Sequence, residues 1–293
     1  MSAELTVLQA GTLTTIQDRG RRGHAHLGVP RAGALDAPAA RLANRLVGND
    51  PGAALLEVTL GGLEFRLSTG RWVAVTGAPC PVLVGGRACG HDRAEWVPAG
   101  ATVRIGQPRS GVRSYVAVAG GIAVEPVLGS RSTDTLAGVG PPVVEAGANL
   151  PLGRAGGAPR PHDTPRPRRP GPLRVTPGPR ADWFGDDAVA ALCATAYTVS
   201  AASNRIGLRL EGAPLVRVRT DELASEGMVV GAVQVPPSGT PVVFLADHPP
   251  PGGYPVLAVV LEDDLWQCAQ LRPGDPVRFT AVDPPTAPRA PRG

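Results

Sequence analysis

The stretch A-L-L-E-V-T-L-G-G-L-E-F-R-L-S-T-G-R-W-V-A-V-T-G, Ala54 to Gly77, decides the fold class. Its short runs L-L-E-V-T-L, L-E-F-R-L and W-V-A-V-T are separated by G-G and T-G-R. Branched and aromatic side chains suit a pleated surface and glycines supply the turns, so the stretch predicts consecutive β-strands. Outward, the style continues to Val118 through C-P-V-L-V, A-T-V-R-I and S-Y-V-A-V. Upstream, E-L-T-V-L-Q at Glu4–Gln9 alternates weakly and predicts another strand. One helix interrupts them. Leu35, Ala39, Leu42, Ala43, Leu46 and Val47 recur at helical spacing, with Asp36 as its cap, Pro38 in its first turn and Gly48-Asn49 at its end.

The second half repeats this pattern. Strand-like runs fall at Tyr197–Ser200, Ile206–Leu210, Val216–Val218, Met228–Val235, Val242–Leu245 and Val256–Val260. Short helices are expected over Ala188–Ala194, opened by Asp186 or Asp187, and around Asp264–Ala269. R-P-G-D-P-V-R-F at Arg272–Phe279 echoes P-A-G-A-T-V-R-I at Pro98–Ile105. With 38 Gly and 33 Pro in 293 residues, long helices are disfavoured, because Gly costs ~1 kcal/mol and Pro ~3 in a helix interior. A helical bundle or solenoid is excluded on that ground. The length suits two domains of roughly 150 residues each. The expected fold is therefore mainly β: two β-barrel domains, 1–152 and 173–282, with a few short helices. Between them, residues 153–172 hold Pro and Arg with almost nothing to bury, and read as a linker or exposed loop. Residues 283–293 read as a disordered tail.

The formal net charge of +4 is too small to argue for nucleic acid. Every basic residue is Arg. No Lys Schiff base, Walker-type Lys or biotinylated Lys can therefore sit on this chain. Cys80, Cys89, Cys193 and Cys268 form no C-x-x-C pair and have no sequence-adjacent His cluster, so no metal site is expected. Few cysteines and the absence of an apparent signal peptide suit a cytoplasmic protein. The longest apolar stretch, Tyr115–Val124, is too short to span a bilayer.

Chemistry-bearing residues gather in three places. Gln17, Asp18, Arg19, Arg21 and Arg22 crowd the long polar loop Thr15–Asp36, beside His24 and His26. Guanidiniums beside a carboxylate hold an anion bidentately or pin the loop. Ser203, Asn204 and Arg205 precede an apolar strand, with Arg205 and Arg209 expected on one of its faces. Glu226, Gln234 and Asp247 sit in apolar surroundings, followed by G-G-Y-P with Tyr254. No P-loop, nucleophile elbow or H-E-x-x-H motif is present.

T-I-Q-D-R-G-R-R-G, G-V-P-R-A-G-A-L-D, A-N-R-L-V-G-N, Y-V-A-V-A-G-G-I with G-S-R-S-T-D-T, S-N-R-I-G-L-R-L, S-E-G with G-A-V-Q-V-P-P, and G-G-Y-P occur in this order from Gly11 to Phe279. Together they resemble the allophanate hydrolase subunit 2 family, the biotin-dependent carboxyltransferase family proteins. Members usually carry Thr-Thr before G-G-Y-P, where this chain has Pro250 and Pro251. The resemblance implies cyclophilin-like β-barrels. It also implies a subunit of an ATP-dependent complex that opens 5-oxoproline to glutamate. The partners would be an allophanate hydrolase subunit 1-type protein and a lactam-hydrolase subunit, with little activity in the lone chain. Two other readings follow from the same family. One is a carboxyltransferase half-domain of urea carboxylase type, with biotin carried on another chain. The other is a non-catalytic regulator that binds a kinase-inhibitor-type partner. Within the motifs, Asp18, Arg21 and Arg205 are the expected catalytic residues, and Gln17, Asn204, Gln234 and Tyr254 the expected substrate-binding ones. Neither a nucleic acid nor a membrane is an expected partner.

Overall fold

Every residue of the strand Arg113–Val118 is buried, which a sheet covered on one face only does not require. A computed structural model, describing residues 3–156, 159, 169–219 and 221–283, gives the reason. Val116 and Val118 enter a core shared with Leu56, Phe65 and Val103. Tyr115 and Ala117 face the other way, against Ala40, Ala43 and Leu46 of the helix Ala37–Leu46.

That first core lies between two antiparallel sheets. One runs in the order Leu13–Gln17, Leu55–Thr59, Arg113–Val118, Arg71–Gly77, Ala94–Val97. The other runs Asn149–Pro151, Glu4–Ala10, Leu63–Leu67, Thr102–Ile105, Val82–Val84, Arg87–Cys89. The helix across the first sheet begins where the sequence places it: Asp36 Oδ1 accepts from Ala39 N–H at 3.0 Å. Its far end is fastened by the two asparagines of A-N-R-L-V-G-N. Asn44 Nδ2 donates to the Ala53 carbonyl at 2.8 Å, and Asn49 Nδ2 to the Val118 carbonyl at 2.9 Å.

The second half is an eight-stranded sheet: Pro276–Val277, Tyr197–Val199, Gly207–Glu211, Val242–Phe244, Ala232–Gln234, Val256–Val260, Leu173–Pro177, Phe279–Ala281. Its two outermost strands are adjacent in the chain, separated by Arg278 alone. The sheet therefore curls into a nearly closed barrel, around Val175, Leu208, Val233, Val243, Leu257 and Phe279. The mainly β fold with a few short helices stands as expected.

Several local expectations are corrected. Val216–Val218 forms no strand; both valines are exposed while Arg217 and Arg219 fold back over the Tyr254 and Trp183 rings. Met228–Val235 shortens to Ala232–Gln234, because Met228 N–H is taken by the Pro250 carbonyl at 2.6 Å. The first loop starts only after Gln17, which belongs to the strand Leu13–Gln17. The short strands Arg87–Cys89 and Ala94–Val97 escape notice in the sequence because they are only 3 and 4 residues long. Of the expected Pro/Arg segment, residues 157–158 and 160–168 lie outside the described residues, as do residues 284–293 of the expected tail.

The two halves share a dense seam. Leu35, from the first loop, packs into the core of the second half. Gln270 Oε1 accepts from Val112 N–H and Arg113 N–H, both at 3.0 Å. Arg113 Nη1 donates to the Ala269 carbonyl at 2.8 Å, and Arg272 donates to the carbonyls of Gly111 and Pro108 at 2.7 and 2.6 Å.

Candidate functional site

The loop Asp18–Asp36 is folded by the residues that its motifs supply. Asp18 accepts from Gly20 N–H (2.7 Å), Ser130 Oγ, Arg131 N–H and Ser132 Oγ (each 2.6 Å). The D of Q-D-R-G and the S-R-S of G-S-R-S-T-D-T are therefore one structure, two distant segments closed on a carboxylate. Gln17 completes the fastening: its Nε2 donates to the Thr133 carbonyl at 2.9 Å and its Oε1 accepts from Gly33 N–H at 3.1 Å. Gly20 has φ 75°, and a Cβ there would stand 2.5 Å from the Arg31 carbonyl. This close approach lets Arg21 N–H donate to that carbonyl at 2.7 Å and fixes where Arg31 leaves the backbone.

Beneath the loop, Arg205 joins the halves. It is 1% exposed. Its Nε and Nη2 donate to Asp247, both at 2.9 Å, Nη2 also donates to the Gly33 carbonyl at 2.8 Å, and Nη1 donates to Glu57. Glu57 also accepts from Tyr115 Oη at 2.9 Å, with Arg113 Nε 3.5 Å away. Thr135 Oγ1 donates to Asp247 at 2.7 Å. Burial alone would favour the neutral guanidine, but Glu57 and Asp247 outweigh it and hold Arg205 charged. Its fork is spent on internal partners, and Arg205 lines neither cleft of the seam. Nor do Arg205 and Arg209 share a strand face: Arg205 precedes the strand Gly207–Glu211 and is buried, while Arg209 is exposed.

Two clefts open along the seam. The smaller, about 490 Å³, is walled by Arg21, Arg31, Met228, His248, Pro250 and Val260. The larger, about 670 Å³, is walled on the loop side by Gln17, Asp18, Arg31 and Arg131, on the helix by Arg41, and on the far side by Leu245 and Trp266. They meet at Arg22, Arg31, Val230, Glu262 and Leu265. Both are of a size that suits a small molecule.

The charge balance here is one-sided. Among the described residues, Arg22 and Arg31 have one carboxylate between them, the exposed Glu262, at 3.9 and 4.0 Å. Arg31 is held below the usual guanidinium range, first by burial and then by Arg22, so its charge is undercompensated. Among the described residues, no carboxylate lies within 4.0 Å of Arg41 or Arg131. Arg21 is buried, with Nη2 donating to the Ser132 carbonyl at 2.5 Å and Nε to that of Val127 at 3.4 Å. Its Nη1 has no hydrogen-bond partner among the described residues, which leaves a buried donor on the wall of the smaller cleft. Several guanidiniums and few carboxylates make the seam chemically suited to an anion, a carboxylate or a phosphoryl group.

Of the seven residues expected from the sequence, Gln17, Asp18 and Arg21 reach the clefts. Asn204 is exposed and caps its own turn, its Oδ1 accepting from Ile206 N–H at 2.8 Å. Gln234 is buried and donates to the Tyr254 carbonyl at 3.1 Å, so these two stand together, away from the lining of either cleft. Arg31, Arg131 and His248 line the clefts, and the sequence does not single them out. Arg31 and Arg131 lie inside quoted motifs, but only the folded loop distinguishes them from the other arginines.

His248 is buried with Nδ1 2.8 Å from the Leu245 carbonyl and Nε2 3.3 Å from that of Met228, its ring stacked on Phe244. Burial pushes it below the ordinary His value of 6.5, against the pull of the two carbonyls. A histidine depressed in the folded state binds its proton first in the unfolded chain. Its stabilising contribution is therefore full above pH 6.5 and is lost as pH falls below that value. The expected result is a urea midpoint that drops from pH 7 to pH 5 by more in the parent than in His248→Gln. Parallel profiles would contradict it.

Comparison with known proteins places this geometry. Residues 27–281 match the model of the carboxyltransferase domain, subdomain A and B. The chain is 39% identical to a 5-oxoprolinase subunit of Escherichia coli over 94% of its length and 90% of that protein. It is 33% identical to the urea amidolyase of Saccharomyces cerevisiae, spanning 93% of this chain but 16% of that one. Among solved structures, TTHA0988 superposes with a TM-score of 0.86 at 38% identity, over 95% of this chain and 56% of that one. The chain thus corresponds to nearly all of one relative and to a segment of the others.

Proposed function

Because the chain belongs to the family of carboxyltransferase domains, subdomain A and B, we infer that it is one subunit of a 5-oxoprolinase complex that opens 5-oxoproline to glutamate with ATP. The observation that carries this reading is the match to a protein named as a 5-oxoprolinase subunit, across nearly the full length of both chains. The partners in this reading are an allophanate hydrolase subunit 1-type protein and a lactam-hydrolase subunit, all in the cytoplasm.

The seam is the proposed working surface. Both 5-oxoproline and ATP are anionic, and Arg22, Arg31, Arg41 and Arg131 offer guanidinium forks to a carboxylate or a phosphate. Arg21 Nη1 supplies a donor with no partner among the described residues. Asp18, Gln17 and Arg205 act in this reading as positioning residues: they hold the loop and the two halves so that the arginines converge. Lactam opening is assisted when the carbonyl oxygen is activated by phosphorylation before water attacks. An arginine-lined cleft offsets the charge gathered by that group.

A second reading is favoured by the 33% identity to a urea amidolyase segment. There the same clefts would accept a carboxyl group from biotin carried on another chain, since this chain has no Lys to carry it. The discriminating experiment supplies the purified chain with its cognate partner subunits. One arm receives ATP and 5-oxoproline, the other ATP, bicarbonate and urea. Glutamate formation without urea consumption is the expected result. Urea carboxylation with no glutamate would replace the first reading by the second.

A further inference from the structure

The second barrel carries a small apolar cluster on its outer face. Side chains alternate along its strands: Val233 and Val243 enter the barrel core, while Ala232, Phe244 and Val256 join Met228 and Val259 on the other side. Met228 and Val259 are also wall residues of the smaller cleft, as is His248, whose ring stacks on Phe244. The cleft is thus the place where this apolar face meets the folded arginine loop. Arg21 and Arg31 stand on the loop side. Arg21 is 2% exposed, and its Nη1 has no hydrogen-bond partner among the described residues. The space between, about 490 Å³, falls toward the small end of small-molecule sites, ~300–1,000 Å³. The larger cleft is built differently: Asp18, Arg41 and Arg131 line it, and Met228, Val259 and His248 do not.

One carboxylate already stands at the mouth. Glu262 opens the turn Glu262–Asp264 of the second half, opposite the loop of the first. It lies 4.0 Å from Arg31 and 3.9 Å from Arg22, with 79% of its side chain exposed. Ion pairs so long and so exposed contribute little and open easily. Glu262 therefore marks a position to which a carboxylate is drawn without being held. Resting on the reading above, we propose that the smaller cleft binds the lactam acid, 5-oxoproline. Its carboxylate displaces Glu262 from Arg31 and approaches Arg21, and its ring lies on the apolar wall of Met228 and Val259. The ligand class is a compact ring acid with one negative charge. A bare phosphate has no apolar body for that wall, and an uncharged ring would leave the guanidiniums unpaired beside it. The polyphosphate then falls to the larger cleft, where Arg41 and Arg131 stand without the apolar cluster. Glu262 acts as a built-in competitor, so its removal strengthens binding.

The test is isothermal titration of the purified full chain with 5-oxoproline, with its uncharged amide and with inorganic phosphate. Both walls come from this one chain, so no partner is required for binding. 5-Oxoproline is expected to bind about tenfold or more tighter than either of the others. Val229, 54% exposed, lines the smaller cleft but not the larger. Val229→Trp, which obstructs the cleft, and Val259→Phe, which fills it, should each weaken 5-oxoproline binding about tenfold or more, with the melting temperature within a few degrees of the parent. Glu262→Gln should tighten it about threefold, a gain that a merely structural role would not produce. If Val259→Phe unfolds the chain, Val229→Trp in a folded chain decides the matter. No binding by the parent, an unchanged affinity in folded Val229→Trp, or no gain in Glu262→Gln would overturn the proposal. Turnover of 5-oxoproline by the complete complex, with binding untouched by Val229→Trp, would overturn this assignment and leave the 5-oxoprolinase reading standing. No turnover, with the acid bound by the parent and lost in Val229→Trp, would uphold the site and remove that reading.

Discussion

Arg205→Ala is expected to destabilise the chain by about 3–5 kcal/mol, the cost of leaving buried charges without their partner. The variant would strand Glu57 and Asp247, 1% and 0% exposed, on either side of an empty guanidinium site. Arg113, 3.5 Å from Glu57, compensates only one of them. At roughly 2–4 °C per kcal/mol for a chain of this size, the melting temperature should fall by about 6–20 °C. Arg209→Ala, at an exposed position in the neighbouring strand, should move stability by no more than about 0.5 kcal/mol. Denaturation midpoints of the two variants check this directly. Equal midpoints would show that the seam ion pairs add nothing net. Any activity lost by Arg205→Ala should track the loss of folded chain, as befits a residue whose donors all point inward.

Arg31→Gln is expected to do the opposite. Its side chain touches both clefts, and its nearest carboxylate is 4.0 Å away and largely exposed. Removing it should leave the melting temperature within a few degrees, since no close internal partner is lost. In the reconstituted complex, kcat/KM should fall about ten- to a hundredfold, the ~1.4–2.7 kcal/mol typical of a lost charged hydrogen bond. An unchanged kcat/KM would remove Arg31, and with it the shared mouth of the clefts, from the site. A matching fall in stability would make it another fastening of the loop.

Much of the fold is legible in the sequence because local and global preferences agree there. The Asp36 cap, the helix Ala37–Leu46 and the strands between Leu55 and Val118 each follow from period, turn residues and caps. Val216–Val218 misleads for a physical reason. Its V-R-V-R alternation reads as a strand, but the arginines stack on Tyr254 and Trp183 and the valines face outward, so no ladder forms. The candidate site is less legible. The motifs mark residues that must be where they are, and a buried fastening is marked as strongly as a ligand contact. Asp18 and Arg205 are polar residues in distinctive motifs, yet their lone pairs and donors are consumed inside the protein. Glu57 hides in L-L-E-V-T-L as one charge in an apolar strand, a signal that a long-range buried partner exists but not which one. Arg31 and Arg131 stand out only once the loop has folded and set them on the cleft walls, and that is a property of the fold.

The central claim is that this chain works through its arginine-lined seam as one part of a lactam-opening assembly. It is tested most directly by measuring ATP-dependent glutamate release from labelled 5-oxoproline, first with the purified chain alone and then with its cognate subunits. No turnover by the single chain and full turnover on adding the partners is the expected result. Robust turnover by the single chain, or none by the complete set, would contradict it.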